Sequence, residues 1–97
     1  MIKVANKEIK RAEITRVMGR NYAEAFLKLL GQDSNGMGVD EIRERIKIMD
    51  KIEQVKTDSI LKLEDSDAKK IKGIIDTTPW KIADREIIEM SDALKGV

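Results

Sequence analysis

Apolar residues recur at helical spacing in four separate segments of this chain, and that spacing constrains the fold more than any other feature. The clearest segment runs from residue 21 to residue 30. Asn21 is a typical N-cap residue, Glu24 follows it at capping-box spacing, and Gly31 is a typical left-handed stop. Two of the chain's three aromatic residues lie in this segment. We therefore expect this helix at the centre of the core.

Three further helices are predicted over residues 40–56, 66–76 and 84–95, each opened by residues that favour the N-cap position. The longest of them has a sustained apolar stripe, and its i, i+4 pair of Glu41 and Arg45 is expected on the solvent-exposed face. The predicted N-caps are Asp40, Asp65 or Ser66, and Asp84; the predicted inward residues of the last helix are Ile87, Ile88, Ser91 and Leu94, with Gly96 as its end.

Two short strands complete the predicted fold. Residues 60–64 are a strand candidate, and residues 13–17, with three β-branched side chains, are its predicted partner. A helix over the same residues stays open as an alternative, because Ile14, Val17 and Met18 lie at helical spacing. The predicted fold class is α+β and helix-dominated, with about four short helices and a minimal two-stranded sheet. An all-α fold is the alternative.

Length and composition favour one domain over residues 1–97, of which residues 1–12 are compatible with a flexible segment. The chain is 41% apolar and 38% charged, which is typical of a packed core with a charged surface. Its apolar runs are far shorter than the ~20 residues of a membrane span, and the N-terminus shows no apolar signal region. We therefore expect a cytoplasmic protein without membrane contact.

The residue types that the chain lacks argue against several classes of enzyme and metal-binding protein. The chain has no His and no Cys, so it lacks the usual proton shuttle near neutral pH, the thiol nucleophile, and the preferred ligands of zinc, copper and iron–sulfur clusters. Its serines have no His base to activate them. We predict a protein that is not an enzyme and has no catalytic residues, no metal ligands and no cofactor.

One loop carries part of a calcium-binding pattern. Counted from Asp33, the positions that calcium loops use are occupied by Asp33, Asn35, Gly38 and Glu44. Met37 stands at the fifth position, however, and offers no hard oxygen ligand. A connection between two helices is the better interpretation of this segment.

Two other segments carry part of a pattern for binding an ion, one for phosphate and one for magnesium. The Gly-Met-Gly run at residues 36–38 precedes a helix, as phosphate-binding loops do, but no Lys-Ser/Thr pair follows it. Glu64, Asp65 and Asp67 cluster as magnesium ligands can, but acidic residues in the first turn of a helix are ordinary partners of its dipole. Neither segment is predicted to be a site.

Basic residues suggest an alternative function. Residues 1–20 hold six Lys or Arg against two Glu, although the whole chain has a net charge of only +1. Lys69, Lys70 and Lys72 could contact phosphates while the indole of Trp80 stacks on a base. A small nucleic-acid-binding regulator that uses these residues is therefore kept as the alternative.

One stretch of the sequence resembles a known group of proteins. Residues 60–67 (Ile-Leu-Lys-Leu-Glu-Asp-Ser-Asp), the Thr-Pro-Trp of residues 78–80 and the helix that holds Ile87 and Ile88 resemble the C-terminal halves of small phage and prophage proteins encoded among virion-assembly genes. The resemblance implies an accessory or assembly protein that binds other proteins, often as an oligomer, and a virion-associated location. No functional residue carries over from it.

The sequence as a whole favours a non-catalytic protein–protein interaction or assembly module. Its partner is predicted to be another protein or a second copy of this chain, because the apolar stripe of the longest helix is long for a domain of this size. Trp80 lies between two helices and is either a core residue or an anchor for a partner. The candidate partner contacts are Ile42, Ile46, Met49, Ile52 and Trp80.

Overall fold

Five helices and a two-stranded antiparallel sheet make up residues 1–33 and 35–95, the part of the chain that the computed structural model describes. The α+β, helix-dominated fold class is confirmed, with one helix more than the four expected. In chain order the elements are β1 (Ile2–Ala5), α1 (Ala12–Met18), α2 (Tyr22–Leu30), α3 (Val39–Val55), β2 (Ile60–Leu63), α4 (Asp65–Thr77) and α5 (Arg85–Asp92).

The prediction of a strand at residues 13–17 is wrong, because these residues belong to helix α1. Ile14 and Met18, one helical turn apart, are both buried, whereas Val17 is exposed. A strand would have sent alternate residues to the same face, so this burial pattern is that of the helical alternative. The helix beyond the four expected is therefore α1, the segment that was predicted to be a strand because of its β-branched residues.

The strand that pairs with β2 is β1. It lies within residues 1–12, the segment for which flexibility was considered. Val4 lies opposite Leu61, and both are buried against the helices. Lys3 and Lys62 lie opposite each other on the exposed face of the sheet. A two-stranded ribbon is marginal in water by itself, so the packing of its apolar face on the helices is what stabilises it.

Helix α2 occupies the centre of the core, as predicted, and packs against α1, α3 and α4. The side chain of Asn21 caps it by accepting a hydrogen bond from the Glu24 amide at 3.0 Å. The Glu24 carboxylate accepts from the amide of Arg20 at 2.7 Å, one residue before the usual capping-box partner. Gly31 ends the helix in a right-handed conformation with φ −79°, so the prediction of a left-handed stop is wrong.

The predicted N-caps of α3 and α4 are each displaced by one or two residues. The N-cap of α3 is Gly38, and Asp40 lies in the first turn. The N-cap of α4 is Glu64, which makes no side-chain capping bond, and both Asp65 and Ser66 lie inside the helix. The acidic residues still lie where the helix dipole favours negative charge, so the sequence signal located the helix ends without identifying the capping residue.

Helix α5 begins at the predicted N-cap, but one residue that was predicted to point inward lies on its exposed face. The side chain of Asp84 accepts a hydrogen bond from the amide of Glu86 at 2.8 Å, which confirms Asp84 as the N-cap. Ile88 was predicted to point inward but is 62% exposed, because the buried stripe of this short helix follows Ile87, Ser91 and the residues near them. Gly96, the predicted end of the helix, lies outside the described residues.

Candidate protein-binding groove

An open groove of about 720 Å³ lies between α1, the C-terminal end of α4 and the connector at residues 79–82. Its lining comes from distant parts of the sequence that the fold brings together. The apolar side chains that line it are Ile14, Val17, Met18, Leu29, Ile74, Pro79, Trp80, Ile82 and Ile87.

Trp80 is held in the groove by the way in which α4 ends. Pro79 cannot continue the helix, and Thr78 before it takes the extended backbone conformation that a following proline imposes. The Trp80 indole Nε1–H donates to the carbonyl of Ile75 at 3.0 Å, and its backbone amide donates to the carbonyl of Thr78 at 3.0 Å. The indole therefore satisfies a carbonyl of the last turn of α4, which would otherwise lack a partner. One ring edge is fixed, and the half-buried ring packs against the core.

Two large apolar residues at the groove are accessible to solvent. Val17 on α1 is 57% exposed, and Ile82 in the connector is 37% exposed. Together with the half-buried Trp80 they give the groove an accessible apolar lining. Several apolar residues in the lining of one concave site are typical of a binding surface rather than of isolated surface residues.

Arg45 fixes the end of the groove that α2 and the following loop form. Its side chain is 5% exposed and donates from Nη1 to the carbonyls of Leu29 and Leu30 at 3.4 Å and of Gln32 at 3.1 Å. Its Nη2 lies 3.1 Å from Oδ2 of Asp33. The guanidinium thus caps the C-terminus of α2, where the helix dipole favours a cation. The sequence-based expectation that Arg45 lies on the solvent-exposed face is wrong.

The pair of Glu41 and Arg45 is present as predicted, and it extends to a neighbouring helix. Arg45 Nε donates to Glu41 Oε1 at 3.2 Å, and Lys70 on α4 donates to Glu41 Oε2 at 2.8 Å. The hydrogen bond from Lys70, and after it the one from Arg45, lower the pKa of Glu41 below its ordinary value. This carboxylate joins α3 to α4 behind the groove.

The other wall of the groove is attached to α5 by a second carboxylate. Helix α1 has no side-chain cap of its own. Instead, Glu86 accepts from the amide of Lys10 at 3.1 Å and from the amide of Arg11 at 3.0 Å. The Arg11 guanidinium lies 2.8 Å from the nearly buried carboxylate of Asp84. It also hydrogen-bonds Glu13, whose pKa it lowers.

Most polar side chains that line the groove are already used inside the protein. The hydroxyl of Thr77 donates to the carbonyl of Gly73 at 2.8 Å, and the hydroxyl of Thr78 donates to that of Ile74 at 2.6 Å. Glu13 is paired with Arg11 and Asp33 with Arg45, as described above. The surface left for a ligand is therefore mainly apolar, which suits the side chains of another protein better than a polar substrate.

The structure separates the predicted partner contacts into three groups. Ile42 and Ile46 are 38% and 48% exposed on α3, and Met49 is partly buried beside them. Ile52 is fully buried in the core and presents no surface to a partner in this fold. Trp80 lies in the groove, whose lining includes none of the other four. Sequence reasoning missed Val17 and Ile82 as accessible groove residues and Arg45 as the residue that holds the groove's end.

The acidic cluster before α4 is divided among basic partners. Asp65 pairs with the N-terminal amino group at 3.1 Å, and Asp67 pairs with Lys51 at 3.0 Å. In residues 1–33 and 35–95, no group of three or more acidic side chains is arranged to hold a metal ion. In the loop considered for calcium, Asp33 is paired with Arg45.

The lysines considered for nucleic-acid binding are also largely neutralised. Lys70 forms its ion pairs with Glu41 and Glu44, and Lys72 forms one with Asp76 on its own helix. Lys69 is exposed. Two of the three positive charges thus face carboxylates instead of an open surface.

None of the helices in the described residues is both long and apolar enough to cross a bilayer. Comparison of the chain with protein-family models, with curated proteins and with solved structures finds no match.

Proposed function

We propose that this protein is a non-catalytic protein-binding module whose groove takes apolar side chains from a segment of another protein. The observation that carries the proposal is that Val17 and Ile82 are exposed in the lining of the groove that holds Trp80. A fixed Trp beside exposed aliphatic residues is the kind of anchor that dominates protein–protein interfaces.

The charges around the groove support a binding role. The carboxylates of Glu13 and Asp33 each have an arginine partner within the fold, so neither is poised as a free base. The pairing of Lys70 and Lys72 with carboxylates likewise favours protein over nucleic acid as the partner. Assembly, which the resemblance to phage proteins implies, remains the predicted context, and the cellular or virion location remains a prediction.

The test selects ligands for the groove and asks where they bind. Peptides are selected from a random displayed library against the wild-type protein, and binding is followed by the fluorescence of Trp80, the only tryptophan. We expect selected peptides with large apolar residues that shift Trp80 emission to shorter wavelength. Val17→Asp and Ile82→Asp should each abolish this shift and weaken binding about tenfold or more, since a charge would face the apolar side chain of the peptide.

The control variant is Ile88→Asp, which changes an exposed isoleucine on α5 outside the groove. It should bind the peptides as the wild type does. Circular dichroism on all three variants checks that they are folded. If no peptide shifts Trp80 emission, or if the selected peptides bind the Val17 and Ile82 variants as tightly as the wild type, the proposed function is wrong.

A further inference from the structure

The connection between α2 and α3 contains the only Asn-Gly pair of the chain, Asn35-Gly36. The backbone amide that follows an asparagine can attack its side-chain amide and close a five-membered ring. This attack is least hindered when the following residue is glycine, which has no Cβ. Asn35 and Gly36 are both exposed. The connection therefore holds the residue pair that favours deamidation, on an accessible part of the surface.

The three asparagines of the chain differ in how their side chains are held. Asn6 Nδ2 donates to two backbone carbonyls at 3.1 and 2.8 Å, and its Oδ1 accepts from a backbone amide at 2.9 Å. Asn21 Oδ1 accepts from a backbone amide at 3.0 Å as the N-cap of α2. Within the part of the chain that the structure describes, no hydrogen bond holds the side-chain amide of Asn35. Asn35 thus has the side chain that can turn toward the following amide without first losing a partner.

The surroundings of Gly36 leave space for ring closure. Its φ is +81°, and no atom lies within 4 Å of the position that a Cβ would take. The Gly36 amide donates to the carbonyl of Asp33 at 3.2 Å, which is long for such a bond. This bond lies in an exposed loop, where local opening costs little free energy. Its opening releases the nitrogen that attacks the side chain.

We propose that Asn35 deamidates spontaneously and that the product weakens ligand binding in the groove. Solvent base removes the proton of the Gly36 amide, and the nitrogen attacks Cγ of Asn35. The Cγ–Nδ2 bond then breaks, and Nδ2 takes up a proton and leaves as ammonia. Water opens the resulting succinimide at either of its carbonyl carbons, which gives aspartate or isoaspartate. The net reaction consumes one water molecule and releases one ammonia, and nothing is oxidised or reduced.

The reaction changes the groove because Asn35 belongs to its lining. The lining already contains the carboxylates of Glu13 and Asp33, each paired with an arginine. A further carboxylate adds negative charge to a surface whose proposed ligands are apolar, so a bound peptide would have to desolvate it. The effect on binding rests on the proposed function, whereas the deamidation itself does not depend on it.

Incubation of the folded protein in mildly alkaline buffer tests the modification. Digestion in acid, where the reaction is slow, and mass spectrometry then measure deamidation at each asparagine. Asn35 should be converted progressively, and faster at higher pH. Asn6 should react at least about tenfold more slowly, because its hydrogen bonds must open first.

Two controls make this measurement decisive. Asn35→Gln should stay unmodified at this residue under the same conditions, because a glutamine would have to close a six-membered ring. Wild-type protein unfolded in urea gives the rate of the Asn-Gly sequence without the fold. If Asn35 is converted in urea but not in the folded protein, or is converted no faster than Asn6 in the folded protein, the proposal is overturned.

Asn35→Asp, which has the same side chain as one product, tests the effect on the groove. Asn35 is exposed, so the variant should keep its circular dichroism spectrum. It should bind the selected peptides about threefold or more weakly than the wild type. Asn35→Gln should bind them as the wild type does. If Asn35→Asp binds as tightly as the wild type, the proposed effect on binding is wrong. Deamidation is measured without a ligand, so its failure and the failure of the proposed function are distinguishable.

Discussion

The guanidinium of Arg45 on α3 and the carboxylate of Asp33 after α2 form an ion pair at 3.1 Å, and the same guanidinium reaches three carbonyls at the end of α2. The Arg45 side chain thus caps the C-terminus of α2, binds the loop that follows it, and attaches both to α3. The carbonyls at a helix end need partners when they are buried. Arg45 supplies these partners at the place where Gly31 does not make a left-handed stop.

Replacing Arg45 with Met should lower the free energy of unfolding by about 3 kcal/mol, because buried carbonyls and Asp33 lose their partner. Arg45→Lys keeps the charge but loses the planar fork of donors, and it should fall between the wild type and Arg45→Met. Urea unfolding measures all three proteins. If both variants lie within about 0.5 kcal/mol of the wild type, as surface substitutions do, the cap is not stabilising.

Two glycines should respond to alanine in opposite directions. Gly19 has φ +101°, and an added Cβ would lie 2.7 Å from Cβ of Glu24, so Gly19→Ala should destabilise the protein by about 1–3 kcal/mol. Gly73 lies in the interior of α4 with nothing within 4 Å of an added Cβ, so Gly73→Ala should stabilise it by about 0.5–1 kcal/mol. Thermal unfolding of the two variants gives the signs, and two changes of the same sign would contradict this account.

Helix α2 could be predicted from sequence because its signals are local. The Asn21 cap and the apolar stripe all lie within ten residues, and the structure uses them as expected. Helix α1 could not be assigned in the same way, because its N-terminus is capped by Glu86, about 75 residues further along the chain. Its β-branched residues favour a strand by local propensity, but contacts with the rest of the fold stabilise the helix.

The groove and the burial of Arg45 depend on packing that the sequence does not display. Glu41 and Arg45 have ordinary i, i+4 spacing, and only the position of the α2 carbonyls next to α3 makes the arginine a buried cap. Trp80 could be singled out because it follows a proline after a helix. Val17, which lines the same groove, could not, since only the fold brings these distant parts of the sequence to one site.

Glu86 should control the order of the two residues that lead into α1, Lys10 and the N-cap residue Arg11. Glu86→Ala removes the acceptor of the Lys10 and Arg11 amides, so hydrogen exchange at these two amides should become faster while exchange in α2 stays unchanged. Glu89→Ala, an exposed change on the same helix, is the matched control. Residue-resolved exchange by NMR measures the effect. Equal exchange rates at Lys10 and Arg11 in both variants would show that the carboxylate does not cap the helix.

Acid should weaken the fold through two carboxylates that join its helices. The hydrogen bond from Lys70 lowers the pKa of Glu41 from its ordinary 4.5, and the hydrogen bond from Lys72, with that from Ser91, lowers the pKa of Asp76 from its ordinary 3.8. A carboxyl group with a lower pKa in the folded state binds protons more readily when unfolded. Its contribution to stability is therefore complete above the unfolded pKa and is lost as the pH falls through the folded pKa.

The melting temperature should thus fall as the pH drops below about 4.5, and NMR titration of the side-chain carboxyl carbons should give pKa values below the ordinary ones for Glu41 and Asp76. Lys70→Met removes the largest cause of the shift at Glu41, so the pKa of that group should rise while that of Asp76 stays low. Lys72→Met should reverse the pattern. If neither lysine variant moves the pKa of its own partner, the two ion pairs do not form in solution and the acid sensitivity must come from other carboxylates.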